Sequence, residues 1–556
     1  MGRDPRPDMA PAALPYAMPV WRLKALSLAL LAGFFAIGWQ LTVFGRISPA
    51  SPRIMVAENQ VRHALSRPDT VDRNGRILAS DIRVYWLFAD PAQIIDVDEA
   101  VERLSKVLSE SDMVGLRAKL TSKSRFEWVK RGLTPRDAQR VHNLGLPGMH
   151  LMEEPQRVYP DGETAVHILG HTNVDNQGLA GIEKFIDATP GAISQAEGGA
   201  QRPRLALSVD LRVQHALHEE LTAAQARYQA KGLGGIVLDV HNGEVLALAG
   251  LPDYDPNRRE EALIEGRHNR FYYDAYELGS VFKIFAIAMA LDSGTATLDD
   301  KIDVLTPLHM GRFSLRDRHA RTRFMNVEEI FVHSSNTGAA RLALAAGTER
   351  QKAFFAKLGL MEPLETELGP TARALFPDPW RPVNTMTAAY GHGISVPPFA
   401  FAVAAASLIN GGTKIKPTFL PRKAGDPGAE PGERVISPEV SATMRRLFLA
   451  NVERGTGTQA KVSGYRVGGK TGTAYKPAKG GYSDDVISSF VAAFPMDDPQ
   501  YLVFIVIDEP KPDKPGGRTE AGHNAAPTAG NVIKRIAPML GIAPARTFDE
   551  STQPSY

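Results

Sequence analysis

Ser280-Val281-Phe282-Lys283 pairs a hydroxyl with an amine three residues later, a spacing that puts both on one face of a helix. A serine attacks a carbonyl only when a base takes its proton, and a lysine at that spacing is within reach to serve. The chain has no cysteine, so any covalent nucleophile must be an oxygen or an amine. Alone, such a pair also fits a helix N-cap followed by a solvated lysine. Two more single-occurrence motifs follow it: Ser334-Ser335-Asn336, then Lys470-Thr471-Gly472-Thr473. Together they supply hydroxyls, a carboxamide and a second amine.

Each motif needs an element to hold it. Gly279 precedes Ser280 and the apolar run Ile284–Leu291 follows, which puts Ser280 at a helix N-terminus where N–H groups favour an oxyanion. Lys470 sits in strand-like sequence after Val467. Asp210–Ala230 reads as an amphipathic helix. Strands at Gly235–Val240 and Glu244–Ala249 flank Asn242-Gly243, the strongest short hairpin signal. Val486–Phe494 and Tyr501–Ile507 flank a turn at Asp497-Asp498-Pro499, and Asn531–Leu540 reads as a closing helix. Strands at both ends of a helical middle predict an α+β domain around an antiparallel sheet.

Ser-x-x-Lys, Ser-x-Asn and Lys-Thr-Gly, in that order, form the signature of penicillin-binding proteins and class A β-lactamases, with Ser335 at the variable middle position. Tyr276–Lys283, Lys470–Ala474 and Ser488–Val491 resemble class B penicillin-binding proteins. So do Asp72–Gly75, Arg157–Pro160, His167–Gly170 and Gly181–Glu183 in the first half, and together with Tyr390–Ser395 these most resemble the division-specific type. Leu278 stands where that family has proline and Pro68 where it has glycine. The resemblance spans roughly residues 20 to 540. It implies a pedestal (dimerisation) domain and a transpeptidase domain built on a five-stranded antiparallel sheet flanked by helices. It implies that Ser280 attacks a D-Ala-D-Ala stem peptide of peptidoglycan, that Lys283 is its base, and that Ser334 relays a proton to the leaving amine. Asn336 would hold Lys283 and the substrate amide, and Lys470, Thr471 and Thr473 the terminal carboxylate. Gly472 would admit the substrate strand, and the N–H groups of Ser280 and Thr473 would form the oxyanion hole. No cofactor or metal is implied. β-Lactams are the implied inhibitors, with a membrane-embedded septal glycosyltransferase and other division proteins as partners.

The rest of the chain sets the frame. Among its 556 residues, 64 are Lys or Arg and 62 Asp or Glu, so net charge +2 offers no field for nucleic acid. Mean hydropathy of −0.19 excludes a polytopic membrane protein. Ala25–Gly45 carries no charge, and as a helix it spans about 32 Å, close to the roughly 30 Å hydrocarbon core. Trp21 and Trp39 suit the interfaces, and the run is too long for a cleaved signal despite Ser48, Ala50 and Ser51. The expected organisation is a cytoplasmic tail over 1–24, a signal anchor over 25–45, a pedestal over 46–204, a transpeptidase domain over 205–541 and a flexible tail over 542–556. That places one pass in the inner membrane, with the bulk of the chain periplasmic. Positive charge before the span (Arg3, Arg6, Arg22, Lys24) barely exceeds that after it (Arg46, Arg53, Arg62). Tyr85–Phe88 reads as a strand, Val97–Lys119 as an amphipathic helix and Gln195–Pro203 as a linker.

Three other patterns compete. Gly464–Thr471 fits a P-loop letter for letter and Phe504–Glu509 is Walker-B-like, but the glycines and proline after Lys470 oppose the helix a phosphate site needs. Glu365-Thr366-Glu367-Leu368-Gly369 nearly matches the deacylating motif of a β-lactamase or β-lactam sensor. It reads more simply as a charged helix end capped by Gly369. His167 and His171 have zinc-helix spacing, yet Ile168 replaces the glutamate, which makes them structural histidines.

Overall fold

The computed structural model describes residues 20–46, 67–189, 204–311, 313–317, 322–423, 425–426, 432–478 and 480–545. The proline-rich start of the chain, the expected linker Gln195–Pro203 and residues 546–556 of the expected tail lie outside this set. Residues 1–66 form one compact unit and those from Arg67 onward another.

In the first unit, α1 (Val20–Arg46) is a single helix of 27 residues. Leu28, Leu31, Phe34, Phe35 and Trp39 are exposed on it. Among the described residues no helix is long and apolar enough to cross a membrane, and several α1 side chains lie outside that set.

The second unit begins with β1 (Asp69–Val71) and the long β2 (Ile77–Ala89), joined by an Asp72-Arg73-Asn74-Gly75 turn. Asp72 accepts from the N–H groups of Asn74 and Arg76 at 2.8 Å each. Gly75 has φ 83, a conformation glycine adopts without strain. After α2 (Val97–Ser105) come β3 (Glu127–Leu133), α3 (Pro135–His142) and β4 (Met149–Val158). Strands β3 and β4 flank β2, both antiparallel. The expected single helix Val97–Lys119 is three short ones, because Ser109 starts a new capping box and Gly115 turns left-handed at φ 72. Its apolar residues still pack together: Leu104, Leu116 and Leu120 join Leu87, Val129 and Val141 in one small core. Near the base of this region Arg157 is fully buried, its Nε donating to Glu183 Oε1 at 2.7 Å and its Nη1 to Asp81 Oδ1 at 3.3 Å. Arg67 Nε donates to the other Glu183 oxygen at 2.9 Å. The Arg157–Pro160 and Gly181–Glu183 motifs are thus held together by a buried ionic network. The short β5 (Arg204–Ala206) then returns to pair in parallel with β1.

Helix α4 (Leu211–Tyr228) is capped by Asp210, whose carboxylate accepts from Arg212 N at 3.0 Å. It leads to β6 (Gly232–Asp239) and β7 (Val245–Leu251), joined through the Asn242-Gly243 turn. The helical middle contributes α5 (Lys283–Asp292), α6 (Val327–Val332), α7 (Asn336–Ala346), α8 (Pro398–Ala406) and α9 (Pro438–Arg454). Strands β8 (Gly468–Ala478), β9 (Gly481–Phe494) and β10 (Tyr501–Asp508) complete a five-stranded antiparallel sheet ordered β8-β9-β10-β6-β7. Helix α10 (Ala525–Met539) packs on it with α4, beginning earlier than the expected Asn531. α5, α7, α8 and α9 share a second core on the sheet's other face, which also takes in Leu78, Tyr159, Ile168 and Ile182 from the pedestal region. A mixed α+β fold with helices on both faces of one antiparallel sheet is what the sequence predicts.

Candidate active site

Ser280 lies in a single 3-10 turn, Gly279–Phe282, that runs straight into α5 at Lys283. Ser280 thus stands at a helix N-terminus as expected, with the first turn wound as the tighter 3-10 form. Lys283 and Lys470 are both wholly buried. Lys283 Nζ donates to Ser280 Oγ at 3.0 Å, to Ser334 Oγ at 3.0 Å and to the Ser334 carbonyl. From the edge strand β8, Lys470 Nζ reaches the same Ser334 Oγ at 2.9 Å and its neighbour's carbonyl, Thr471 O, at 3.2 Å. One hydroxyl therefore sits between two lysines, and three sequence-distant motifs meet at it. Ser334 holds φ 58, a left-handed conformation unusual outside glycine.

Electrostatics follow from burial. Removal from water pushes Lys283 down to about 7, against the opposing pull of the Asp317 carboxylate. Burial, joined by the neighbouring Lys283 charge, holds Lys470 well below the usual lysine range. Two ammonium groups sharing one hydroxyl in a dry pocket disfavour each other, and the repulsion falls on Lys470, while burial alone brings Lys283 within reach of its neutral form near pH 7.

The other expected residues are placed as follows. Thr471 Oγ1 lies 2.6 Å from Thr456 Oγ1, and Thr473 Oγ1 accepts from Ala521 N at 3.1 Å. Asn336 heads α7, but among the described residues its side chain makes no hydrogen bond to Lys283. Lys283 is instead held by Ser334, whose own main chain reaches it first. Gly472 has a reason within the fold beside the expected one: a Cβ there would lie 2.3 Å from Leu278 O and 2.5 Å from Ser489 Oγ. Its bareness lets the nucleophile loop close on β8. Gly279, at φ 65, makes the reciprocal approach, since a Cβ there would meet Thr473 O at 2.5 Å.

Sequence reading missed three features. Asp317, in a charged loop outside every motif, accepts from Asn336 N at 2.8 Å, Thr337 N at 3.2 Å and the Ser335 hydroxyl. Thr456 is fixed by Asn451 at the end of α9, and nothing local in Gly-Thr-Gly announces a partner for Thr471. The third is a small cluster beside the nucleophile loop. Glu277 Oε1 accepts from Gly393 N at 3.1 Å and from the Tyr482 hydroxyl at 3.3 Å. His392 lies 3.4 Å from the other oxygen and stacks on Tyr482 with centroids 4.4 Å apart. Burial pushes Glu277 up and His392 down, so each resists its charged form.

The competing patterns resolve on geometry. The P-loop-like segment continues as strand β8 with no helix after Lys470. Glu365-Thr366 and Gly369-Pro370 pair as a small hairpin, not the expected helix end, with Glu367 accepting from Thr418 Oγ1 at 2.6 Å and Phe419 N at 2.9 Å. His167 Nε2 lies 3.2 Å from Arg267 O and His171 Nδ1 2.9 Å from the Tyr254 hydroxyl.

Comparison with known proteins agrees with this arrangement. Residues 234–534 match the penicillin binding protein transpeptidase domain, and residues 65–188 match the penicillin-binding protein dimerisation domain. The chain is 41% identical over 493 residues to the probable peptidoglycan D,D-transpeptidase FtsI of Caulobacter vibrioides, covering 86% of this chain and 82% of that one. It is 29% identical to the peptidoglycan D,D-transpeptidase FtsI of Escherichia coli, covering 94% and 92%. A peptidoglycan synthetase from Bifidobacterium adolescentis shares the fold at a TM-score of 0.67 and 21% identity, over 88% of this chain and 98% of that one. With a serine flanked by paired lysines on this sheet and domain matches through both halves, the chain belongs to the penicillin-binding protein transpeptidase family.

Proposed function

We propose that this chain is a peptidoglycan D,D-transpeptidase that crosslinks stem peptides at the division septum through a serine acyl-enzyme and is inhibited by β-lactams. The observation that carries it is the meeting of three motifs at one hydroxyl: Lys283 and Lys470 at 3.0 and 2.9 Å from Ser334 Oγ, with Ser280 Oγ 3.0 Å from Lys283. Neutral Lys283 takes the Ser280 proton as Oγ attacks the carbonyl carbon of the penultimate D-Ala. The N–H groups of Ser280 and Thr473 hold the oxyanion, a contribution of about 3–4 kcal/mol per donor. The proton returns through Ser334 to the departing amine, the C–N bond breaks and D-Ala leaves. An acceptor amine from a second stem peptide then attacks the ester, loses its proton to the same relay and frees Ser280. Lys470, with Thr471 and Thr473, receives the substrate carboxylate, whose negative charge favours the ammonium form of Lys470, the proton being taken up from solvent. Asn336 turns to the substrate amide.

The charge-free run Ala25–Gly45 within α1 supports a single-pass anchor in the inner membrane, with the catalytic region periplasmic. The pedestal over 46–204 and transpeptidase domain over 205–541 complete the assignment, with the septal glycosyltransferase and division proteins as partners. Fluorescent-penicillin labelling of wild type and Ser280→Ala, with localisation of the chain, tests it. A stable adduct lost in the variant, and a septal signal, are expected. Rapid hydrolysis of the penicillin points instead to a β-lactamase.

A further inference from the structure

The turn carrying Ser334 is not self-supporting. Ser334 is left-handed at φ 58, which costs about 1 kcal/mol or more and persists only where its surroundings hold it. Directly after it, the first N–H groups of α7 need acceptors. Ser335 Oγ accepts from Gly338 N at 2.9 Å. Asn336 N and Thr337 N both go to Asp317 Oδ1, at 2.8 and 3.2 Å, and the Ser335 hydroxyl donates to Oδ2. Asp317 therefore takes two main-chain donors and one side-chain donor from consecutive residues, from a loop that no motif contains. Since both the carbonyl and the hydroxyl of Ser334 accept from Lys283, any shift of this turn moves two of the base's three hydrogen-bond partners.

We propose that Asp317 is a positioning residue for acyl transfer: its carboxylate fastens the Ser334–Asn336 turn against Lys283 and counterbalances the charge of that buried lysine. The proposal rests on reading the site as a serine acyltransferase. The groups facing Lys283 are the Ser280 hydroxyl from the 3-10 turn, the Ser334 hydroxyl and carbonyl from the turn before α7, Lys470 from β8, and the Asp317 charge from the loop. The Lys283 charge disfavours a proton on Lys470, and Asp317 is the carboxylate that favours the proton on Lys283. Geometry and charge thus act through different atoms of one effect: the bonds hold Ser334, and the charge sets how readily Lys283 sheds its proton.

Asn at 317 keeps an acceptor for the two main-chain N–H groups and removes the charge; Ala removes both. The test is the second-order rate of acylation by a fluorescent penicillin, measured from pH 5.5 to 9 on the full chain in detergent micelles. Asp317→Asn should keep its plateau within about threefold of wild type while its acid limb moves down by about half to one pH unit. Asp317→Ala should lose at least about tenfold on the plateau, with its acid limb moved down as in Asp317→Asn. Asp300→Asn, an acid that caps the Thr297 turn elsewhere in the same region, should change neither. A purely structural carboxylate would lower the labelled fraction without moving the limb. The proposal is overturned if the Asp317→Asn profile superimposes on wild type, or if Asp317→Ala acylates within twofold of it. If wild type itself forms no adduct, the acyltransferase reading fails and takes this one with it.

Discussion

Replacing Lys283 with arginine tests the mechanism where it is most exposed. An ordinary lysine near 10.5 is neutral in only about one molecule in three thousand at pH 7, whereas one lowered to about 7 is neutral in about half. Burial therefore enriches the usable base by about a thousandfold. Acylation should fall about tenfold per pH unit below about pH 6, reach half its plateau near 7 and level off above 8. Arginine keeps the positive charge but has no accessible neutral form, so Lys283→Arg should lose at least about a thousandfold at every pH up to 9. The same shift has a cost in stability whose sign is fixed by linkage. The folded state releases its proton near 7 and the unfolded state near 10.5, so the penalty is complete below pH 7 and fades as pH rises towards 10.5. It is on the order of 4–5 kcal/mol before the lost hydrogen bonds are counted. Lys283→Met should thus melt a few degrees higher than wild type at pH 6, with the gap closing by pH 10. Acylation is followed by rapid-mixing fluorescence with the labelled penicillin, and stability by thermal melting of the same preparations. A wild-type rate flat from pH 5.5 to 9, or more than a tenth of wild-type activity in Lys283→Arg, would refute a neutral lysine as the base.

Gly472→Ala should abolish penicillin labelling and lower the melting temperature, because its Cβ would lie 2.3 Å from the Leu278 carbonyl and force β8 off the nucleophile loop. Arg157→Met should destabilise by about 3–5 kcal/mol by leaving Glu183 and Asp81 with less cationic compensation in a buried site, while labelling per folded molecule stays near wild type. Thr456→Val should leave the fold intact but weaken substrate-carboxylate binding several-fold through Thr471, raising KM for a D-Ala-terminated peptide more than it lowers kcat.

What could be read from the sequence was what chemistry or local geometry writes into short spans. Ser280 and Lys283 announce themselves because base and nucleophile must be neighbours on one turn. The β6–β7 hairpin is visible because Asn242-Gly243 is the pair its turn demands. Val97–Lys119 misleads because its apolar spacing carries on across two breaks: all three short helices feed the same small core, so periodicity hides Ser109 and Gly115. Gly472 was legible as necessary but not as necessary to whom, since the atom it admits belongs to Leu278, far away in the chain. Asp317 left no trace at all. A charged loop that solvates itself and one that clamps an active-site turn are written with the same letters.

The pairing of β1 with β5 has a mechanical consequence. Val71 is followed by the whole pedestal region, yet Leu207 N donates back to Val71 O at 2.9 Å and Arg73 N to Val209 O at 2.9 Å. The chain enters and leaves that region at a single staple, with Asp72 also accepting from Leu211 N at the head of α4. A pull between Arg67 and α4 is therefore taken by the β1–β5 pairing, alongside the bonds Arg67 itself makes to Asp81, Glu183 and Asp187. Because the two strands run parallel, pulling the start of one against the end of the other loads their hydrogen bonds in shear, all at once instead of one by one.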